Sequence, residues 1–223
     1  MSFQQVLLLL TGLILGMRHA FDRDHVTAVT HFISLEPDPL KSAWFGFRWA
    51  IGHAVAVLLL GSLVLLLKLK LEPPFERYAE LVVGLTLVGL GLWRLLLLIE
   101  ERRHTHRHGH GRKEHTHEHS HEVGREHVHR FAPTAIGLVH GTAGAPELFV
   151  LIPITLIGSP WLTYLYVALF SVGCAATMSG YGYVVGRFYR RANATGQRIY
   201  RTLVVLTSLS GIILGVVWIL RNV

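Results

Sequence analysis

The stretch Arg18-His19-Ala20-Phe21-Asp22-Arg23-Asp24-His25 places charged and imidazole side chains inside an otherwise apolar part of the chain. Residues 6–17 before it and residues 26–33 after it are largely apolar. Each carboxylate placed in hydrocarbon costs at least ~2.5 kcal/mol on insertion scales, so two of them need compensation. The stretch therefore predicts a functional site at a break within a membrane-spanning segment.

The rest of the sequence is also typical of a membrane protein. Of its 223 residues, 51% are apolar and 16% are charged, and the mean hydropathy is +0.43. A soluble domain has about a quarter of its residues charged. The apolar residues form blocks of about twenty, the length that crosses a hydrocarbon core. We predict six spans, and we exclude a soluble enzyme and a disordered scaffold. The spans are residues 3–33, 43–67, 81–99, 132–157, 160–185 and 203–220.

Two short matches at one offset of 121 residues suggest that the chain contains an internal repeat. Gly16-Met17-Arg18-His19-Ala20 matches Gly137-Leu138-Val139-His140-Gly141, and Gly52-His53-Ala54 matches Gly173-Cys174-Ala175. With three spans each, the two halves must point in opposite directions, as in transporters that bind substrate at broken helices near the midplane. The alternative is two unrelated kinks, at residues 18–25 and 141–146.

We therefore expect an all-α integral membrane protein of six transmembrane helices, arranged as two inverted three-helix repeats with a broken first helix in each half. The repeats are residues 1–99 and 131–223, and residues 100–130 form a His-rich flexible loop between them. Lys and Arg concentrate in that loop and after the fifth span, which predicts that both lie in the cytoplasm. Both termini are then outside a multi-pass protein of the cell membrane.

The candidate metal ligands are imidazoles and carboxylates within apolar spans. His19, Asp22 and His25 are spaced to share one side of a helix, and Asp24 joins them only if the helix unwinds. Two imidazoles with two carboxylates suit nickel, cobalt, zinc or iron as a divalent ion. For the lone histidines within other apolar spans, His53 and His140, the alternative to metal binding is a hydrogen bond to a facing helix. The predicted site comprises His19, Asp22, Asp24, His25, His53 and His140.

The loop at residues 100–130 holds ten histidines that alternate with Thr, Arg, Gly and Glu. This composition cannot form a hydrophobic core. Neutral imidazoles bind Ni²⁺, Co²⁺, Zn²⁺ or Cu²⁺ with little discrimination. We expect the loop to capture metal, and the alternative is an inert linker. The single cysteine, Cys174, excludes a disulfide framework and a four-thiolate site.

The first motif resembles the signature of the nickel/cobalt transporter family (NiCoT), a His followed by four residues and then Asp-His. Residues 137–144 are similar to the His-Gly-x-Ala-Gly segment of the related urease-accessory (UreH-like) membrane proteins. The resemblance implies high-affinity transport of Ni²⁺ or Co²⁺ for enzymes such as urease and hydrogenase, with His19, Asp22, Asp24 and His25 as metal-binding residues. The chain departs from the main nickel/cobalt branch in having fewer spans, and its His-rich loop resembles the efflux branch.

We predict a secondary transporter for Ni²⁺, with Co²⁺ as a second candidate, and neither enzymatic activity nor a catalytic cofactor. The expected partners are the metal ion, the lipid bilayer and a cytoplasmic metallochaperone, with no nucleic acid. Proton-coupled efflux of Ni²⁺, Co²⁺ or Zn²⁺ is the alternative. A second alternative, an intramembrane metal-dependent hydrolase, needs His-Glu-x-x-His within a span, and the predicted spans contain none.

Overall fold

The computed structural model describes residues 2–67, 73–103, 131–143 and 159–223, and all regular structure in these ranges is helical. Of the predicted loop at residues 100–130, residues 104–130 lie outside the described residues. Seven helices are seen in the described ranges. They are α1 (Phe3–His19), α2 (Arg23–Ile33), α3 (Pro39–Leu67), α4 (Pro73–Arg103), α5 (Ala132–His140), α6 (Pro160–Thr195) and α7 (Gln197–Asn222).

Four of these helices are long and apolar enough to cross a membrane: α3, α4, α6 and α7. Helices α1 and α2 pass the same test together, as a pair bent by 57° at a short break, which raises the described spans to as many as five. Most of the predicted fourth span, residues 132–157, lies outside the described residues, apart from α5 and the three residues after it. The chain is a multi-pass helical membrane protein.

The predicted break in the first span is present between α1 and α2. Helix α1 ends at His19, the backbone of Asp22 is extended, and α2 begins at Arg23. Asp at the position before a helix is a common start signal, although the Asp22 side chain makes no capping bond here. Asp24 lies in the first turn of α2, where the positive end of the helix dipole favours a carboxylate. In the second half, α5 ends at His140, and residues 144–146 of that predicted break lie outside the described residues.

Helices from the two halves of the sequence pack on one another in a reciprocal pattern. Helix α1 packs on α6 and α3 packs on α5, while α3 also packs on α6 and α4 on α7. A side chain at Gly16 would collide with the backbone oxygen of Phe170, and one at Gly137 would collide with the backbone oxygen of Trp49. Gly137 lies 121 residues after Gly16, and Phe170 lies 121 residues after Trp49, so the two contacts are related by the same offset.

A second pair of close approaches follows the same rule. A side chain at Gly52 would collide with the backbone oxygen of Thr134, and one at Gly173 would collide with the backbone oxygen of Leu13. These two contacts are again related by an offset of 121 residues. Small residues allow membrane helices to approach this closely. The tight helix packing brings the break after α1 next to the middle of α3 and the end of α5.

Candidate metal centre

Three histidines from three helices bring their ring nitrogens together at the break. His19 ends α1, His25 lies in the first turn of α2, and His53 lies within α3. One ring nitrogen of each lies within 4.8 Å of those of the other two. The Nε2 atoms of His19 and His53 are 3.1 Å apart. Two imidazole nitrogens bound to one ion at about 2.0–2.1 Å lie at most about 4.2 Å apart, so small shifts of the rings bring these three nitrogens onto one ion.

Three buried histidines, His19, His25 and His140, have acceptors at their Nδ1 atoms. His25 Nδ1 lies 3.2 Å from the backbone oxygen of His19, and His140 Nδ1 lies 2.9 Å from the backbone oxygen of Ile136. A carbonyl only accepts, so Nδ1 carries the proton in both rings and Nε2 keeps its lone pair. His19 Nδ1 lies 2.9 Å from Asp22 Oδ2 in an ion-pair contact. Acceptors of this kind fix the tautomer and orientation of metal-binding histidines.

Asp24 adds a carboxylate to the group. Its Oδ2 lies 3.3 Å from His25 Nε2 and 4.0 Å from His140 Nε2. The Asp24 side chain is 9% exposed and that of His140 is 0% exposed. His140 Nε2 has no hydrogen-bond partner among the described residues, so it also presents a lone pair towards the centre. The arrangement combines nitrogen ligands with one negative charge, which suits a borderline divalent ion.

The two aspartates have different positions relative to the histidines. Regular helical spacing predicts that Asp22 shares one side with His19 and His25 and that Asp24 points away. The chain instead leaves the helix after His19, which is the unwound alternative, and Asp24 turns towards His25 and His140. The Asp22 side chain is 39% exposed and contacts the far nitrogen of His19. Asp22 therefore lies behind a ligand candidate, whereas Asp24 lies beside two of them.

The arginines of the motif do not enter the centre. A guanidinium close to the ligands should weaken cation binding, so the sequence leads us to expect that Arg18 and Arg23 pair with acids or face the interface. Both residues are exposed, whereas His19 and Asp24 are buried. Positive charge is therefore kept at the surface of the break.

Two aromatic rings that the sequence analysis did not single out line the centre. Trp49 is fully buried, stacks on His53 with ring centroids 5.2 Å apart, and lies 5.8 Å from the His140 ring. Phe170 lies 5.3 Å from the His19 ring. The contacts Trp49–His140 and Phe170–His19 are again related by the offset of 121 residues. A search of the sequence for aromatic residues at that offset could have found both rings. Rings packed on these histidines exclude water, which would strengthen electrostatic interactions with an ion held there.

Fold and site together define a multi-pass helical membrane protein with a buried imidazole–carboxylate centre at a broken helix. The chain belongs to the family described as cytochrome c biogenesis protein transmembrane region, whose model matches residues 25–210. It is 27% identical over 221 residues to the urease accessory protein UreH of Bacillus sp. (strain TB-90), a match that covers 94% of this chain and 89% of the relative. No solved structure matches the chain significantly.

These comparisons bear on the resemblance seen in the sequence. The similarity to urease-accessory (UreH-like) membrane proteins is confirmed, because the relative is one of them. The name of that relative describes an accessory protein and not a catalyst. The closer resemblance to the nickel/cobalt transporter family stays a prediction. The family match begins at residue 25, so it includes His25, His53 and His140 but not residues 18–24.

Proposed function

We propose that the chain is a secondary transporter that carries Ni²⁺, and Co²⁺ as a second substrate, across the cell membrane. The observation that carries the proposal is the meeting of His19, His25 and His53 within 4.8 Å of one another, with Asp24 beside them, in a membrane protein. Buried ionisable groups in a membrane are costly, and they mark ion pathways. The urease-accessory name of the relative supports nickel as the substrate.

In this proposal the side chains replace water around the ion. The Nε2 atoms of His19, His25 and His53 are the nitrogen ligands, and Asp24 supplies negative charge. His140, on α5, contacts Asp24 from the second half of the chain. Asp22 orients His19 and, being 39% exposed, is more accessible to solvent than the buried Asp24.

Movement of the ion into the cell needs no source of energy other than the membrane potential. A dication that moves down the membrane potential gains ~4.6 kcal/mol per 100 mV. Export must instead be coupled to another gradient, such as that of protons, and the His-rich sequence between the halves is the feature that favours export as the second candidate. The direction of nickel movement in cells separates the two.

We also propose the finer architecture: six spans in two inverted repeats, with both termini outside and the His-rich loop in the cytoplasm. Two pairs of close helix contacts related by 121 residues support the repeat, as does the reciprocal packing of α1 on α6 and α3 on α5. Reporter domains fused to each terminus test the orientation. Activity outside the cytoplasm is expected at both ends, and cytoplasmic activity at either end contradicts the predicted orientation.

The family description names cytochrome c biogenesis, which raises thiol–disulfide chemistry as a different function because c-type haem is attached to cysteine thiols. A relay that passes electrons through an internal disulfide needs two thiols. The chain contains one cysteine, Cys174, and its side chain is buried. This chain therefore cannot form an internal disulfide, and the buried histidines favour metal transport.

Purified chain in liposomes tests the proposal directly. With an inside-negative potential, radioactive nickel should accumulate faster than in empty liposomes, and His25→Ala should reduce the rate to that background. His31→Ala is the matched control, because His31 is a buried histidine of the same helix that is not in the three-histidine group, and its Nδ1 bonds the Thr27 carbonyl. If His25→Ala transports as fast as the wild type at equal incorporation, the site assignment is wrong.

A further inference from the structure

A buried arginine lies in a membrane span away from the metal centre. Arg94, on α4, is 1% exposed within the span Phe75–Glu100. A charged side chain in a span is costly and marks a function by default. Nothing in the proposed transport site uses this charge, so its contacts define what it does.

The Arg94 guanidinium and the Tyr200 hydroxyl both form hydrogen bonds to Ser34, at the end of α2. Arg94 Nε donates to Ser34 Oγ at 3.0 Å, and Nη2 donates to the Ser34 carbonyl at 3.0 Å. Tyr200, on α7, donates to the same carbonyl at 2.5 Å and accepts from Arg94 Nη2 at 3.3 Å. Ser34 Oγ in turn donates to the His31 carbonyl at 2.8 Å. Ser34 is the C-cap residue directly after α2, so α4 and α7 both hold this helix end.

The end of α2 needs such partners for two physical reasons. The last carbonyls of a helix have no partner within the helix, and the C-terminal end carries a partial negative charge. A guanidinium satisfies both needs, because its planar fork donates in fixed directions and stays charged. An isolated helix shorter than about 12–15 residues is marginal, and α2 has 11 residues. Its position is therefore set by contacts such as those of Arg94 and Tyr200.

The opposite end of α2 carries part of the metal centre. Asp24 and His25 lie in its first turn, ten residues or roughly 15 Å of helix rise from Ser34. A rigid helix transmits a shift at one end to the other end. A further contact comes from α6, where the Tyr181 hydroxyl lies 2.6 Å from Thr30 Oγ1 and so holds α2 at Thr30.

We propose that Arg94 and Tyr200 are positioning residues of the metal centre. They fix the C-terminal end of α2 between α4 and α7, and so they set where Asp24 and His25 lie relative to the histidines of α1 and α3. The inference rests on the proposed function, because it assigns a role towards the same ion. A residue that only stabilised the fold would change the melting temperature but not the coordination of the ion.

The test uses Co²⁺ as the probe, because its visible absorption reports the geometry of its ligands. The protein is the full-length chain in detergent with the ten histidines of residues 104–129 replaced by glutamine, which removes competing imidazoles. We call it the loop-substituted chain. In this background Tyr200→Phe removes one hydroxyl from the end of α2. Tyr189→Phe is the matched control, because it keeps the ring that packs on Tyr200, with centroids 6.2 Å apart, and removes a hydroxyl that bonds Thr207 Oγ1 at 3.1 Å and not Ser34.

Tyr200→Phe should weaken Co²⁺ binding by about 3–10-fold, at or below the lower end of the effect of removing a group bonded directly to a ligand, because Tyr200 acts through α2. It should also shift the visible spectrum, while Tyr189→Phe keeps the affinity and spectrum of the loop-substituted chain. Arg94→Lys keeps the charge but loses the planar set of guanidinium donors. It should therefore change the Co²⁺ affinity and the visible spectrum in the same direction as Tyr200→Phe, and by more. Hydrogen exchange of residues 23–34 without metal should become faster in Tyr200→Phe and stay unchanged in Tyr189→Phe.

The outcomes separate the inference from the proposed function. If the loop-substituted chain binds Co²⁺ and His25→Ala abolishes binding, while Tyr200→Phe and Arg94→Lys match Tyr189→Phe in affinity and spectrum, only the positioning role is wrong. Unchanged hydrogen exchange in a Tyr200→Phe variant also overturns that role, with no metal involved. If the loop-substituted chain binds no Co²⁺, or His25→Ala binds it equally well, the proposed function fails and the inference fails with it.

Discussion

Neutralising each aspartate of the break separately should have unequal effects on nickel affinity. Asp24 Oδ2 lies 3.3 Å from His25 Nε2, whereas Asp22 Oδ2 lies 2.9 Å from His19 Nδ1, on the far side of that ring from the group of nitrogens. An ion held by the Nε2 atoms therefore lies next to Asp24 and about one imidazole away from Asp22. Asp24→Asn and Asp22→Asn remove the same charge at these two distances.

The expected magnitudes follow from Coulomb's law and from burial. A carboxylate about 4 Å from a dication interacts by roughly 8 kcal/mol at an effective dielectric constant of about 20. If desolvation of the buried Asp24 offsets about half of this, a loss of about 4 kcal/mol remains, or about 1000-fold in affinity. Asp22 is 39% exposed and screened by solvent, so its loss should be about 10–100-fold, as for other partners that orient a ligand.

Competition titration of Ni²⁺ against a chelator of known affinity measures both variants in the loop-substituted chain. Melting temperatures of the variants without metal provide the control, since a misfolded variant would lose binding for another reason. The reasoning is refuted if Asp22→Asn loses as much affinity as Asp24→Asn, or more. That result would mean that the ion lies on the outer side of His19.

Three further predictions concern packing and capture. Gly137→Ala should lower stability by at least about 2 kcal/mol in thermal unfolding, because its new methyl collides with the Trp49 backbone, whereas Gly180→Ala, which has open space around it, should be neutral or stabilising. Trp49→Ala should cost about 3–5 kcal/mol of stability and also weaken Ni²⁺ binding, because the ring is fully buried and stacks on His53; equal nickel affinity in a folded variant would count against its role. The loop-substituted chain should take up nickel more slowly at low metal concentration but equally fast at saturation, and complete loss of uptake would show that residues 104–129 are part of the transport path.

The main features of the fold are readable from the sequence because the membrane constrains them strongly. Blocks of about twenty apolar residues predict spanning helices, and α3, α4, α6 and α7 meet that prediction. The polar run at residues 18–25 predicts a break, because consecutive charges are costly in hydrocarbon, and the chain turns between His19 and Arg23. The count of six spans stays a prediction, since residues 144–157, which would complete the span predicted at residues 132–157, lie outside the described ranges.

The details of the centre depend on directions that sequence spacing cannot supply. Spacing along one ideal helix places Asp22 inward, but the turn at residues 20–22 rotates α2 and points Asp24 inward instead. Arg94 also carries no local signal, because its partners Ser34 and Tyr200 are 60 and 106 residues away in the sequence. Only tertiary packing reveals that these residues meet.

X-ray absorption of Ni²⁺ bound to the loop-substituted chain tests the central claim most directly, because the scattering from imidazole rings counts the histidines on the metal. We predict one tightly bound ion with at least three imidazoles, from His19, His25 and His53, at about 2.0–2.1 Å, and one imidazole fewer in His53→Ala. A spectrum with oxygen ligands and no imidazole contribution, or one unaltered in His53→Ala, would contradict the existence of the centre.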